Sequence, residues 1–156
     1  AEAGLLTEVL DTLGWDASTL DPELPPVVAY AGAWHLVLAV AERATLDRMD
    51  YDFDRLKARM LAEDLTTIQI VWREAPDVFH SRNPFPVGGV VEDPATGAAA
   101  AALGGYLRDA GLLKAPAWFV IRQGEAMGRP SRLEVEVPRE GGIVVSGTAV
   151  DCSEEP

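Results

Sequence analysis

The residues best suited to chemistry lie between Val87 and Ala102, where the sequence reads VGGVVEDPATGAAAAA. Glu92 and Asp93 place two carboxylates before Pro94, which fixes the local backbone angle φ. An apolar helix is predicted to follow, and the first N–H groups of a helix have no partner within it. These amides and the positive end of the helix dipole favour a small anion, such as a substrate carboxylate. Asp93 is placed to hold a polar group of the same ligand or to move a proton.

The same stretch also fits an ordinary capped helix. Asp93 or Thr96 would then serve as the N-cap, and Gly97 would permit close packing. Two observations favour function: the Gly88–Gly89 loop precedes the motif, and the helix after it is more apolar than a surface helix needs to be.

A second candidate is the segment QGEAMGRPSR, which runs from Gln123 to Arg132 between two predicted strands. Gly124 and Gly128 allow unusual backbone angles, and Arg129 offers a planar guanidinium to a carboxylate. A segment of this length is also typical of a plain hairpin connection.

The remaining polar residues give weaker signals. His35 and His80 are interpreted as structural or surface residues, because no other histidine lies within metal-ligand spacing. Cys152 has no basic neighbour or helix start that would activate its thiol, so we expect no nucleophilic role. The sequence contains no dinucleotide, nucleotide or serine-hydrolase motif. We therefore expect neither a metal nor a cofactor.

Composition narrows the class of partner. The 156 residues are 48% hydrophobic and carry a net charge of -12, which disfavours binding to nucleic acid or to anionic lipid. A single cysteine suits a reducing compartment, and neither a run of about 20 apolar residues nor a basic-then-apolar leader is present. We expect a cytoplasmic protein. Because the sequence begins without Met, it is open whether the chain is a piece of a longer protein.

Hydrophobic patterning predicts an α+β fold. A helix over Leu5–Leu13, ended by Gly14, is followed by a connector from Asp16 to Pro26. A surface helix over Asp50–Glu63 and an apolar helix over Ala95–Ala110, buried on all faces, are the other two helices. Strands are predicted over the short apolar or alternating runs 27–30, 35–40, 67–72, 78–82, 118–123, 132–137, 143–146 and 148–151. This order indicates a sheet that curls around a central helix.

Two motifs carry a resemblance to a known family. The first is Arg82-Asn83-Pro84-Phe85-Pro86, then Gly88-Gly89, then Glu92-Asp93-Pro94-Ala95-Thr96-Gly97-Ala98. The second is Gln123-Gly124 followed by Gly128-Arg129-Pro130-Ser131. In this order they resemble the signature of phenazine biosynthesis PhzF-like proteins. The resemblance covers roughly residues 27–152 and only the second half of the family's usual chain. It divides the sequence into a helix and connector (1–26), a C-terminal lobe (27–152) and a tail (153–156).

The resemblance implies a diaminopimelate epimerase-like fold, in which two similar lobes each wrap a mostly antiparallel sheet around a central helix. The active site of such proteins lies between the lobes. It further implies that Asp93 is a catalytic residue and that the amides around Thr96, Gly97 and Ala98 bind substrate. The implied activity is that of a cofactor-free isomerase or epimerase, which moves a proton on carbon of a small amino- or carboxyl-bearing metabolite.

The chain departs from the family pattern in two ways. Many relatives carry serine where this chain has Ala98, so one hydroxyl contact to substrate is missing. The family's principal acid/base is a glutamate of the first lobe, and nothing before Val27 resembles that lobe. We therefore expect an isomerase half that is inactive without an N-terminal lobe or partner subunit, and that forms homo-oligomers. The alternatives are a non-catalytic module that binds small anions or serves assembly, and a shared fold with different chemistry.

Overall fold

The computed structural model describes residues 1–150, which form one curled sheet, a central helix and three outer helices. The helices are α1 (Ala3–Leu13), α2 (Arg43–Asp47), α3 (Phe53–Ala62) and α4 (Gly97–Asp109). The strands are β1 (Val27–Tyr30), β2 (Trp34–Val40), β3 (Leu65–Ala75), β4 (Val78–Pro84), β5 (Glu92–Asp93), β6 (Ala117–Gln123), β7 (Ser131–Val137) and β8 (Val144–Ser146).

The strands follow the order β1-β2-β3-β4-β6-β7-β8, and the short β5 pairs with β4. Pairing is antiparallel except between β2 and β3 and between β4 and β6, which are parallel. Because α4 contacts β1 and β8, which lie at opposite edges of the sheet, the sheet must curl around this helix. The α+β class and the curled, mostly antiparallel sheet predicted from the sequence are confirmed.

The two faces of the sheet form two hydrophobic cores. Alternate residues of each strand point to opposite faces. On the inner face, Val37, Phe79, Phe119 and Val135 pack with Leu103 of α4. On the outer face, residues of β2 and β3 pack against α1 and α3; this group includes Leu5, Val9, Leu36, Leu38, Leu56, Met60 and Ile70.

Local signals fix one end of each of two outer helices. Gly14 ends α1 in the left-handed conformation, with φ of 67°. Asp52 caps α3, because its side chain accepts a hydrogen bond from the N–H of Arg55. α1 belongs to the same outer core as β2 and β3, and the domain boundary between residues 26 and 27 stays a prediction.

Two predictions about elements are wrong. Residues 148–150 form no strand, and Thr148 and Val150 are exposed, although their apolar alternation is typical of one. α4 is not buried on all faces either, because Ala98 is exposed and Ala101 and Gly105 are half-buried on the side that the sheet leaves open. Cys152 and the tail lie outside the described residues. None of the helices within residues 1–150 is long and apolar enough to cross a membrane.

Candidate functional site

The two sequence motifs meet in one open pocket of about 410 Å³. One wall is the segment of Val91, Asp93 and Pro94, and the other is the β6–β7 hairpin with Met127 and Arg129. The hairpin interpretation and the functional interpretation of QGEAMGRPSR are thus compatible. The structure brings Asp93 and Arg129, a carboxylate and a guanidinium from separate parts of the chain, to the same pocket.

Asp93 is held by Thr96 rather than used as a helix cap. The hydroxyl of Thr96 donates to Oδ2 of Asp93 over 2.7 Å. Thr96 is the N-cap residue of α4, but its side chain makes no capping hydrogen bond. Asp93 accepts no backbone N–H of the first turn among the described residues, and its Oδ1 has no hydrogen bond there. The capped-helix interpretation is therefore right about the position of Thr96, but neither side chain makes a capping hydrogen bond within residues 1–150.

Gln123 ties the Asp93–Thr96 segment to the end of β6. Its side chain is 1% exposed and lies on the inner face of the sheet. Oε1 of Gln123 accepts the N–H of Thr96 at 3.1 Å, while Nε2 donates to the carbonyl of Asp93 at 2.7 Å and to Oγ1 of Thr96 at 2.9 Å. One buried amide thus makes three hydrogen bonds to two residues of the candidate site.

Gly124 explains why the two motifs can approach so closely. It adopts φ of +77°, and a Cβ at this position would lie 2.2 Å from the carbonyl oxygen of Arg129 and 2.9 Å from that of Pro94. Both atoms are backbone atoms and cannot move aside cheaply. Only glycine, with no Cβ, fits this left-handed position between the two segments.

The start of α4 is open to solvent. Gly97 and Ala98 are exposed, and no described side chain bonds to their N–H groups. The N–H of Thr96, in contrast, is already donated to Gln123. Gly97 and Ala98 lie at the helix start and outside the pocket lining, while Asp93 lies in it. The first turn therefore presents two amides at the positive end of the helix dipole.

Glu92, the other carboxylate of the motif, has a structural role. Its side chain is 7% exposed and receives two hydrogen bonds from Arg82, of 2.7 and 3.2 Å. The remaining nitrogen of Arg82 donates to the carbonyls of Leu46, Asp47 and Met49 near the end of α2. This pair fixes β5, so Asp93 follows a rigid neighbour.

Tyr51 supports the segment that precedes Glu92. Its hydroxyl donates to the carbonyl of Val91. Burial, followed by the charges of Glu92 and Asp50, raises the pKa of Tyr51 to about 12. Tyr51 therefore stays protonated and keeps this hydrogen bond at neutral pH.

A row of buried polar side chains crosses the inner face near the start of α4. We call it the inner polar row; its members are His35, Thr67, Gln69, Ser81, Asn83 and Gln123. Some are bonded: His35 Nδ1 lies 2.8 Å from Thr67 Oγ1, and Ser81 Oγ donates to Asn83 Oδ1 over 2.5 Å. Four of their side-chain atoms have no hydrogen-bond partner within residues 1–150, namely His35 Nε2, both amide atoms of Gln69 and Asn83 Nδ2. Burial lowers the pKa of His35, which favours its neutral form.

The two histidines are structural rather than surface residues. His35 is fully buried in the inner polar row, and His80 is 2% exposed on the outer face. Nδ1 of His80 lies 2.7 Å from a carboxylate oxygen of Glu125 in the β6–β7 hairpin. The chain between residues 1 and 150 holds no group of three or more His, Cys, Asp or Glu side chains arranged for a metal.

A larger pocket of about 550 Å³ lies elsewhere, on the outer face of β6, β7 and β8. Its lining includes the exposed Trp118 and Val144 together with Glu134 and Glu136. Of the two sequence motifs only Arg132, the last residue of QGEAMGRPSR, lines it, whereas both motifs line the pocket of Asp93. We therefore place the candidate site at the pocket of Asp93.

Sequence reasoning predicts Asp93 and the start of α4 as site residues, which stays a prediction, and it missed the hydrogen bonds of Gln123. The only signal was its place in the QGEAMGRPSR segment, where the glycines and Arg129 are more conspicuous. A buried glutamine at a strand end reveals its partners only once the strand is placed beside the loop.

The comparisons with known proteins agree on one family. Residues 5–155 match the family model of the phenazine biosynthesis-like proteins. A protein of Deinococcus radiodurans named an uncharacterized isomerase is 32% identical over 152 residues, which cover 94% of this chain and 48% of the relative. An uncharacterized isomerase of Bacillus subtilis is 27% identical, with coverage of 92% and 51%. The chain thus spans about half the length of the curated relatives it matches.

Solved structures agree in fold. A protein of Pseudomonas aeruginosa described as a predicted epimerase superimposes with a TM-score of 0.74 at 28% identity, covering 96% of this chain and 52% of that one. A phenazine biosynthesis protein of the PhzF family from Bacillus anthracis gives a TM-score of 0.74 at 20% identity, with coverage of 88% and 49%. At this identity, the second likeness concerns the fold alone.

Proposed function

The chain belongs to the phenazine biosynthesis-like protein family, and we propose that it forms the C-terminal half of a cofactor-independent isomerase or epimerase. The reaction moves a proton on carbon of a small amino- or carboxyl-bearing metabolite. A carbon-bound proton leaves to a base of the enzyme, and a proton returns to another carbon or to the opposite face. No electrons are exchanged with a third molecule.

In this proposal Asp93 is the supporting proton-transfer or ligand group, and the amides of Gly97 and Ala98 bind a substrate carboxylate. The observation that carries the proposal is the meeting of Asp93 and Arg129 in one pocket, next to a helix start at which these amides donate to no partner among residues 1–150. Oδ1 of Asp93 has no hydrogen bond among the described residues and is available to a ligand. Thr96 is predicted to bind substrate as well; its N–H and hydroxyl already bond within the protein, so its contact with substrate stays a prediction.

We further propose that the isolated chain is inactive. An α-proton is too weakly acidic for water to remove at a useful rate, so a positioned strong base is needed. The half-length match to the relatives supports a missing first lobe that supplies this base. The expected partners are therefore that lobe or a partner subunit, with a homo-oligomer as the assembled form.

The test is uptake of deuterium from solvent into carbon. The protein assembled with its first lobe is incubated in D₂O with a panel of amino acids and cyclohexadiene carboxylic acids, and incorporation is followed by NMR and mass spectrometry. We expect Asp93→Asn to lower the exchange rate by about 100-fold or more, the range of acid/base catalysis. Asp109→Asn, at the exposed far end of α4, is the matched control and should leave the rate unchanged.

Two results would contradict the proposal. The isolated chain exchanging as fast as the assembled protein would mean that no first lobe is needed. Equal rates in the wild type and in Asp93→Asn would remove Asp93 from the reaction.

The half-length match also favours a second candidate, a non-catalytic module for small anions or for assembly. Both candidates bind a small carboxylate at the start of α4, but only the isomerase exchanges carbon-bound hydrogen. Carboxylate binding without any deuterium uptake across the panel would decide for the second candidate.

A further inference from the structure

We propose that Gln123 is a positioning residue that directs the hydroxyl proton of Thr96 onto Asp93 and leaves Oδ1 of Asp93 for the ligand. This inference rests on the proposed role of Asp93 and deepens it. The three side chains concerned, those of Asp93, Thr96 and Gln123, bond to one another within the described residues.

The orientation of the Gln123 amide follows from its partners. The backbone N–H of Thr96 can only donate, so the atom that faces it must be the oxygen Oε1. The carbonyl of Asp93 can only accept, so the atom that faces it must be the nitrogen Nε2. Two backbone groups of opposite polarity thus exclude the flipped amide.

The direction of the next hydrogen bond then follows. The second proton of Gln123 Nε2 goes to Oγ1 of Thr96 at 2.9 Å. Thr96 has a single hydroxyl proton, and Oδ2 of Asp93 lies 2.7 Å from the same Oγ1. Because the contact with Gln123 uses Oγ1 as an acceptor, the hydroxyl proton is free to point to Asp93.

This arrangement distinguishes the two oxygens of Asp93. Oδ2 receives the Thr96 hydroxyl and is fixed in direction, while Oδ1 has no hydrogen bond among residues 1–150. The other bonds of Gln123 hold the backbone of Asp93 and Thr96, so the carboxylate cannot rotate without breaking the network. A proton-transfer group needs such fixed geometry, because small displacements of reacting groups lower rates strongly.

A double-mutant cycle tests the proposal. Gln123→Glu keeps the acceptor for the Thr96 N–H but replaces the donor with an oxygen, so the Thr96 hydroxyl turns away from Asp93. Thr96→Val removes the hydroxyl and keeps the side-chain shape. Each change alone should lower the deuterium exchange rate of the assembled protein about 10-fold, and so should both together. The reason is that all three variants lack the same hydrogen bond, from the Thr96 hydroxyl to Asp93. The KM of the wild type should be retained, since Gly97 and Ala98 bind the carboxylate.

The same double-mutant cycle can be measured without an activity assay, by following the ¹³Cγ chemical shift of Asp93 in the 156-residue chain. Thr96→Val should shift this signal in the wild-type background and leave it unmoved in the Gln123→Glu background. Gln123→Met, which has no donor, repeats the cycle if the glutamate variant does not fold. Gln69→Met is the matched control, a buried amide of the same sheet face, and should change neither the rate nor the signal.

The outcomes are distinguishable. Additive effects, about 100-fold in the double variant, or a shift response that persists in the Gln123→Glu background would overturn the positioning role. Absence of deuterium uptake in the wild type would overturn the proposed function instead, and the shift cycle would still decide the role of Gln123.

Discussion

Two buried glutamines of the inner polar row face the same side of the sheet but have opposite surroundings. The side chain of Gln123 at the end of β6 makes three hydrogen bonds, whereas that of Gln69 on β3 makes none in the described part of the chain. Both are 1% exposed or less. A buried polar group is costly unless it is bonded, so the two amides should contribute to stability with opposite sign. The difference separates a part of the row that orders the candidate site from a part that remains unbonded.

The largest expected effect comes from replacing each amide with leucine. Gln123→Leu leaves the Thr96 N–H and the Asp93 carbonyl without partners, and the free energy of unfolding should fall by about 3 kcal/mol. Gln69→Leu removes two unbonded polar atoms and should leave that free energy within about 1 kcal/mol of the wild type, or raise it. Urea unfolding followed by circular dichroism measures both. Equal losses would mean that internal water satisfies Gln69, and the contrast would disappear.

A smaller effect is expected where the row is partly bonded. Ser81→Ala removes the hydroxyl that donates to Oδ1 of the fully buried Asn83. One buried acceptor then loses its partner, and stability should fall by about 1.5 kcal/mol. Thermal unfolding of this variant is compared with that of Ser146→Ala, an exposed serine of β8. Indistinguishable melting temperatures would show that this hydrogen bond contributes nothing.

The smallest expected effect is on how the free energy of unfolding depends on pH. Burial lowers the pKa of His35 below its usual value near 6.5, so folding favours the neutral ring. This stability is present above pH 6.5 and is lost as the pH falls through the folded-state pKa. His35→Asn cannot be protonated, so its free energy of unfolding should fall less than that of the wild type between pH 7.5 and pH 5.5. Denaturant titrations at both pH values measure the difference, and parallel losses would exclude a contribution from His35.

Much of the fold could be predicted because it depends on local patterns. Apolar spacing and Gly14 identify α1, and Asp52 marks the start of α3. The alternation of Leu133, Val135 and Val137 with glutamates identifies β7. Each of these signals lies within a single helix or strand, so it can be recognised without knowing which other elements pack against it.

The errors arise where the outcome depends on partners in space. Thr148 and Val150 have strand-like alternation, but no neighbouring strand pairs with them among the described residues. The alanines of α4 predict burial on every side, whereas the curled sheet leaves the side of Ala98, Ala101 and Gly105 open. Amino-acid type indicates what a helix tolerates, and topology decides how much of it is covered.

The candidate site also combines residues that could be predicted from the sequence with residues that could not. Asp93 and Arg129 stand out by type and by the glycines beside them, and the structure places both at one pocket. The inner polar row could not be predicted, because its members come from four strands that are widely separated in the sequence. Their assembly follows from strand register, which no local pattern of this sequence specifies.

The tight fit at Gly124 also bears on how this family could be diversified. Position 124 admits no side chain, Gln123 bonds to the opposite loop, and Glu125 bonds to the buried His80. Ala126 and Met127, at the tip of the hairpin, line the pocket instead. A library that randomises these two residues and preserves the stem would sample new pocket shapes beside an undisturbed Asp93. Selection for altered ligand preference should therefore enrich changes at 126 and 127 and almost none at the three residues before them.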